Sequence, residues 1–210
     1  PAQVAARAVD NRRMLPSSSM STALRRATYA DIEALPEQVT GELIDGVLYT
    51  QARPAGPHVL VASGLQTSID APFGLGVNGP GGWILAIEPE LHLGSDVLVP
   101  DVAAWRVERL PRAARREKYF TIVPDWVCEV ASPSTSMRDR RIKAPVYARA
   151  GVSHLWLVEP IEGRVEAYER SGDRWLVAGT WGDDTDACIP PFDAVPLDLA
   201  RLWERAGRES

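Results

Sequence analysis

Between residues 125 and 160 an apolar stretch, a helix-length segment and a second apolar stretch follow one another, and that order restricts the fold more than any other feature. The stretch "DWVCEVASPST" carries Trp126, Val127, Cys128 and Val130, and "HLWLVE" runs from His154 to Glu159. The residues between them, from about Ser136 to Ala150, predict one helix. Ser136 and Asp139 have capping-box spacing, and Gly151 is placed as the C-cap. Pro145 lacks a backbone donor and predicts a bend in that helix. A strand, a helix and a strand in this order predict a right-handed crossover with strands 126–131 and 154–159 paired in parallel.

The rest of the chain supplies elements around that unit. Thr28 and Asp31 have the spacing of a capping box, which predicts a short helix closed by Pro36. Asp45-Gly46, between the short apolar runs of "GELIDGVLYT", predicts a tight hairpin. Val61, Leu65 and Ile69 recur every four residues and predict an amphipathic helix, weakened at Gly64. The segments "GGWILAIEPELHLG" and "SDVLVPDVAAWRVE" each read as a strand, and "RLPRAARREKYFTIVP" as a basic connecting arm. A hairpin around Ser171-Gly172-Asp173 on a sheet edge and a closing helix in "PLDLARLWERAG" complete the series. Residues 1–21 lack apolar periodicity and are expected to form a flexible leader, with a single domain over 22–210.

Composition narrows the class. With 45% hydrophobic and 24% charged residues over 210 positions, the chain has the makeup of a globular domain rather than a disordered one. No segment has the roughly 20 consecutive apolar residues of a membrane span, and no signal peptide is recognisable, so the expected compartment is the cytoplasm. Cys128 and Cys188 form no disulfide framework or zinc pattern, and Cys128 is expected to be buried. The net charge of −5 argues against a generally basic nucleic-acid binder. From Arg106 to Arg149, however, eleven Lys/Arg stand against five Asp/Glu, a local excess that is either a solvated face or a place for phosphates.

The motifs of nucleotide-binding loops, serine hydrolases and zinc proteases are absent, and "GLGVNGPGG" reads as a loop. His58, His92 and His154 have no metal-ligand spacing, and His58 falls at a helix start. What remains is a pair of acids in apolar runs. Asp101 interrupts "VLVPDVAAW" and Glu129 interrupts "WVCEVAS". Two inward carboxylates on neighbouring strands repel one another unless a cation lies between them, and a divalent ion meets that need. Lys143, on the following helix, is then placed to orient an attacking water. Each residue also has an ordinary reading. An Asp after Pro is common turn chemistry, and Lys143 is spaced to pair with Asp139 on a solvated helix face.

The order "VPD", "CEVASPST" and "RDRRIKAPVYARAGVSHLWLVEP" closely resembles the Uma family of restriction-endonuclease-like proteins, a branch of the PD-(D/E)xK nuclease superfamily. "GELIDGVLYT", "EPELHLG" and "FDAVPLDLARLW" extend the likeness from Thr28 to Trp203. It implies an α/β fold with a mixed central sheet flanked by helices, preceded by an N-terminal helix and a β-hairpin. It also implies Mg²⁺ or Mn²⁺ as cofactor, nucleic acid (DNA above all) as partner, and a homodimer. Residue by residue, Asp101 matches the aspartate of the "PD" signature and Glu129 the first acid of (D/E)xK, both as metal ligands. The third position of that triplet is Ala131 here, so the lysine role falls to Lys143. Glu42 in "GELIDG" matches the family's N-terminal acid, and His58 a position that often holds histidine, without an assigned role.

The expected function is therefore metal-dependent hydrolysis of nucleic-acid phosphodiester bonds by Asp101, Glu129, Lys143 and Glu42. Arg138, Arg140 and Arg141, together with the arm at 109–118, are expected to contact phosphates. Two alternatives stay open: a silent nuclease-like module that binds nucleic acid or a protein, and a metal hydrolase acting on a small phosphorylated substrate.

Overall fold

The structure is a computed structural model and describes residues 25–52, 56–132 and 136–208. The expected leader lies outside the described residues. In chain order the elements are α1 (Tyr29–Glu33), β1 (Val39–Ile44), β2 (Val47–Ala52), α2 (Pro57–Ile69), β3 (Trp83–Ile87), β4 (Leu91–Leu93), β5 (Asp96–Leu98) and β6 (Val102–Arg106). They continue with β7 (Trp126–Val130), α3 (Ser136–Arg138), α4 (Ala144–Ala150), β8 (His154–Glu159), β9 (Arg164–Ser171), β10 (Arg174–Trp181) and α5 (Leu199–Arg205). The fold is mixed α/β, as expected.

Six strands form the central sheet in the order β10-β9-β8-β7-β6-β3. Only β7 and β8 run parallel, with Cys128 opposite Trp156 and Glu129 opposite Leu157. This is the crossover unit predicted above, and every other neighbouring pair in the sheet is antiparallel. A second, four-stranded sheet has the order β2-β1-β5-β4. The predicted hairpin is its first half, closed by Asp45 and Gly46 at positive φ, the backbone that an Asp-Gly turn supplies at low cost.

The second sheet exists because two expected strands are each broken. "WILAIEPELHL" divides into β3 and β4 at Glu88-Pro89, and "DVLVPDVAAWR" into β5 and β6 at Val99-Pro100. A proline cannot donate to a ladder, so a run that reads as one strand ends there, and the chain passes from one sheet to the other. Asp101 sits directly after the second break, at the start of β6.

Strand alternation sorts the core. Trp126, Cys128 and Val130 face one layer with Trp156, the α2 residues Val61, Leu65 and Ile69, and the α5 residues Leu202 and Trp203. Val127 faces the opposite layer, built from Trp105, Leu155, Leu157, the α4 residues Val146 and Tyr147, and Ile44, Leu91 and Leu98 of the second sheet. Each fully buried side chain of this size contributes about 1.5–3 kcal/mol by leaving water. Gly64 is a site of close packing rather than a weak point, because a Cβ there would lie 2.7 Å from Leu202 Cδ1 of α5.

The helix expected over 136–150 is continuous but not uniform. Between α3 and α4 the chain makes a π-helical turn over Asp139–Lys143. Pro145, two residues beyond that turn, has no N–H to donate back into it, and the widened turn lies where the helix loses that bond. Gly151 closes α4 at φ 98°, as its position predicts.

Candidate active site

Glu129 lies on the face of β7 that looks toward α4 and the second sheet. Glu42, on β1, looks back at it. Lys143, the last residue of the π-helical turn, stands between them with Nζ 2.8 Å from Glu42 Oε1 and 2.8 Å from Glu129 Oε1. Its third donor goes to the Val99 carbonyl at 3.1 Å. An ammonium has three donors, so all of them are occupied. The Lys143 and Glu42 side chains are each 1% exposed and Glu129 is 4% exposed.

Other residues complete the setting. Tyr147, four positions after Lys143 and so on the same helix face, donates its hydroxyl to Glu129 Oε1 at 2.6 Å. Val99 N–H donates to Glu42 Oε1 at 2.9 Å. Among the described residues Glu42 Oε2 is buried without a hydrogen bond, with the Arg138 guanidinium at 3.8 Å, while Arg138 donates to Gln51. Sequence reasoning missed Tyr147, although its i+4 relation to Lys143 was a usable signal. It could not have found Gln51 or the Val99 carbonyl, which only the pairing of the sheets brings in.

Asp101 is on the neighbouring strand, one position beyond the Val102–Cys128 pair of β6 and β7. Its Oδ2 accepts Val130 N–H at 2.6 Å, which ties it to the residue after Glu129. Its Oδ1 is 3.0 Å from His58 Nε2, at the start of α2. The four sequence-predicted residues thus converge on one end of the β6–β7 pair, with Lys143 directly between Glu42 and Glu129.

The electrostatics follow from burial. Burial pushes the Glu129 carboxyl well above the usual range; the Lys143 ammonium pulls it back, while Asp139, Asp101 and Glu42 push with burial. For Lys143, burial favours the neutral form, but Glu129 and Glu42 more than reverse this and hold the ammonium well above its usual value. The two partners therefore pull in opposite senses, Glu129 toward neutral and Lys143 toward charged. Lys143 is the firmer of the two, because one ammonium serves two carboxylates. Burial also lifts the Tyr147 hydroxyl and the Cys128 thiol far above their usual values, so Tyr147 donates and Cys128 is inert. Burial works against a charged His58 ring, but the bond and charge of Asp101 outweigh it and leave the ring above its ordinary value.

Among the described residues no three His, Cys, Asp or Glu side chains form a metal-binding group. The pair Asp101 and Glu129 nevertheless suits Mg²⁺, which takes one or two carboxylates and fills its remaining positions with water and phosphate oxygens. Asp101 uses one acceptor site on each oxygen and keeps another. Burial is the main cause that lifts Glu129 and the neighbouring acids add to it; a second cation would offset the part due to those acids.

Of the three arginines expected to contact phosphates, two are engaged within the protein. Arg140 donates to Glu166 at 2.6 Å, Tyr168 at 3.1 Å and Glu159 at 3.3 Å, and Arg138 is held by Gln51. Arg141, Arg112 and Arg116 are exposed and form no ion pair among the described residues. No helix among those residues is long and apolar enough to cross a membrane.

Residues 27–199 match the model of the Uma2 family, described as "Putative restriction endonuclease". A solved structure of a "putative nuclease belonging to DUF820" from Anabaena variabilis is similar, with 25% identity and a TM-score of 0.68. The similarity covers 85% of this chain and 98% of that one. No curated protein matches the chain.

Proposed function

This chain belongs to the Uma2 family of restriction-endonuclease-like proteins, and from that premise we propose that it is a metal-dependent endonuclease acting on DNA. The observation that carries the reading is the convergence of Asp101, Glu129 and Lys143 at the end of one antiparallel strand pair, with Glu42 closing the group from the second sheet.

Asp101 and Glu129 would hold the metal. A bound Mg²⁺ or Mn²⁺ supplies a more acidic water and offsets charge building on the phosphoryl oxygens. The chain's own residues do the positioning. Tyr147 and Lys143 both donate to Glu129 Oε1, which fixes that carboxylate. Lys143 also works against the burial and neighbouring acids that favour the neutral form of Glu129. To touch the attacking water itself, Lys143 would have to release the Val99 carbonyl or a carboxylate, so its support of the water runs through Glu129. In the reaction the water oxygen bonds to phosphorus while the bond to one sugar oxygen breaks.

Arg141, Arg112 and Arg116 supply free guanidinium groups for the phosphate backbone, and no polar code for particular bases is assigned to them. Incubation of purified protein with duplex DNA and Mg²⁺ or Mn²⁺ tests the proposal. Cleavage is expected from the parent and not from the Asp101→Ala, Glu129→Ala double variant; equal cleavage by both would end this reading. The alternative of a silent binding module is favoured if the parent binds DNA without cutting it.

A further inference from the structure

Asp101 is fixed from two directions by groups of different origin. Val130 N–H is part of the sheet and donates to Oδ2 at 2.6 Å. His58 comes from α2, which packs on the opposite layer from Lys143, and its Nε2 is 3.0 Å from Oδ1. The ring is buried, at 9% exposure, and its Nδ1 is buried with no hydrogen-bond partner. Among the described residues the ring's hydrogen-bonding contact is the one to Asp101, and that contact orients it. Pro57 at the first turn of α2, following Gly56 at φ 62°, starts the helix at the point that sets this ring against β6.

A small cavity of about 110 Å³ adjoins the pair, lined by His58, Val59, Ala62, Ile87, Glu88 and Asp101. The chain at Glu88 adopts φ 44°, a conformation uncommon for a residue with a side chain, and its N–H bonds the Asp101 carbonyl at 3.0 Å. Asp101 is therefore held at its backbone by β3's end and at its side chain by α2 and β7, while its open side meets a cavity.

We infer that His58 is a positioning residue for the metal site: its Nε2–H fixes the Asp101 carboxylate in the orientation that receives a divalent cation. The inference rests on the reading of Asp101 as a metal ligand. Both the neutral Nε2–H tautomer and the imidazolium donate at this nitrogen, so the role does not depend on the ring's protonation. The group that matters is the N–H and not the ring's bulk. Ligand orientation by an outer hydrogen bond is commonly worth about 10- to 100-fold in metal affinity.

The test compares Mn²⁺ binding, read by the loss of the free-ion paramagnetic resonance signal, in the parent, His58→Leu and His58→Gln. Leu keeps side-chain bulk without a donor, and Gln places an amide N–H near the position of Nε2. Thermal unfolding of all three, without metal, measures any loss of packing separately. The expected result is Mn²⁺ affinity weakened about 10- to 100-fold in His58→Leu and within a few-fold of the parent in His58→Gln. A merely structural role would lower both variants' unfolding temperatures without separating their affinities. Parent-like affinity in His58→Leu, or equal weakening in both variants, overturns the positioning role while the metal site stands. No Mn²⁺ binding by the parent at millimolar concentration overturns the metal reading and this inference with it.

Discussion

Lys143 Nζ lies 2.8 Å from Glu129 Oε1 inside the protein, with Glu42 Oε1 equally close on its other side. One buried cation thus joins a strand of the central sheet to a strand of the second sheet, at the point where α4 begins. Removing the cation leaves two buried carboxylates without their charge partner. Lys143→Met should therefore lower stability by about 3–5 kcal/mol, measured by urea denaturation. Adding Glu42→Gln and Glu129→Gln to that variant should restore much of the loss, because the charges that needed Lys143 are then gone.

Tyr147 makes a smaller but cleaner test. Its hydroxyl donates to a carboxylate, a class of bond worth about 1.5–3 kcal/mol, and Tyr147→Phe removes it while leaving the ring in the α4 layer. Denaturation should show a loss in that range, and catalysis should fall as well, since Glu129 then depends on Lys143 alone. An unchanged rate would separate Tyr147 from the site's chemistry.

Salt dependence of DNA binding distinguishes free arginines from engaged ones. Replacing Arg141, Arg112 and Arg116 by Gln should flatten the slope of log affinity against log salt by about 0.9 for each phosphate that an arginine had neutralised. Arg140→Gln should change the slope little, because its guanidinium is occupied by Glu166 and Glu159. The reverse pattern would place a phosphate at Arg140 in place of its carboxylate partners.

Acid stability should carry the signature of Glu166. Burial tends to raise its pKa, but hydrogen bonds from Arg140 and Tyr168 outweigh this and leave the carboxyl below its ordinary value. A carboxyl with a lowered folded-state pKa stabilises the fold above its unfolded value, roughly 4.3, and that contribution is lost as pH falls through the folded value. The parent's advantage over Glu166→Gln, about 1 kcal/mol for a partly exposed group, should therefore be present at pH 6 and shrink toward pH 3. Urea midpoints at the two pH values measure it.

Much of this arrangement is legible in the sequence because single residues force it. Asp45-Gly46 dictates a hairpin, and two apolar runs around a helix dictate a parallel pair. An acid inside an apolar run demands a partner. Glu129 and Asp101 stand out for that reason, and both lie at the site. The charge partner of Glu129 among the described residues is Lys143, shared with Glu42, a three-residue contact that depends on how two sheets pack. Sequence periodicity does not encode that packing. Pro89 and Pro100 are visible, but each reads as an interruption within one strand rather than a change of sheet. His58 is visible only as a histidine at a helix start. Its relation to Asp101 spans 43 positions and follows from α2 lying across the central sheet.

Cleavage of duplex DNA by the purified protein, with Mg²⁺ or Mn²⁺ against chelator, tests the central claim most directly when the parent is compared with Glu129→Gln. That substitution keeps the shape of the side chain and removes its charge. The account predicts metal-dependent nicking or cutting by the parent, abolished by chelator and lowered at least about 100-fold in Glu129→Gln, which corresponds to about 2.7 kcal/mol of transition-state stabilisation. Cleavage at the parent's rate by Glu129→Gln, or cleavage that persists in chelator, would contradict it.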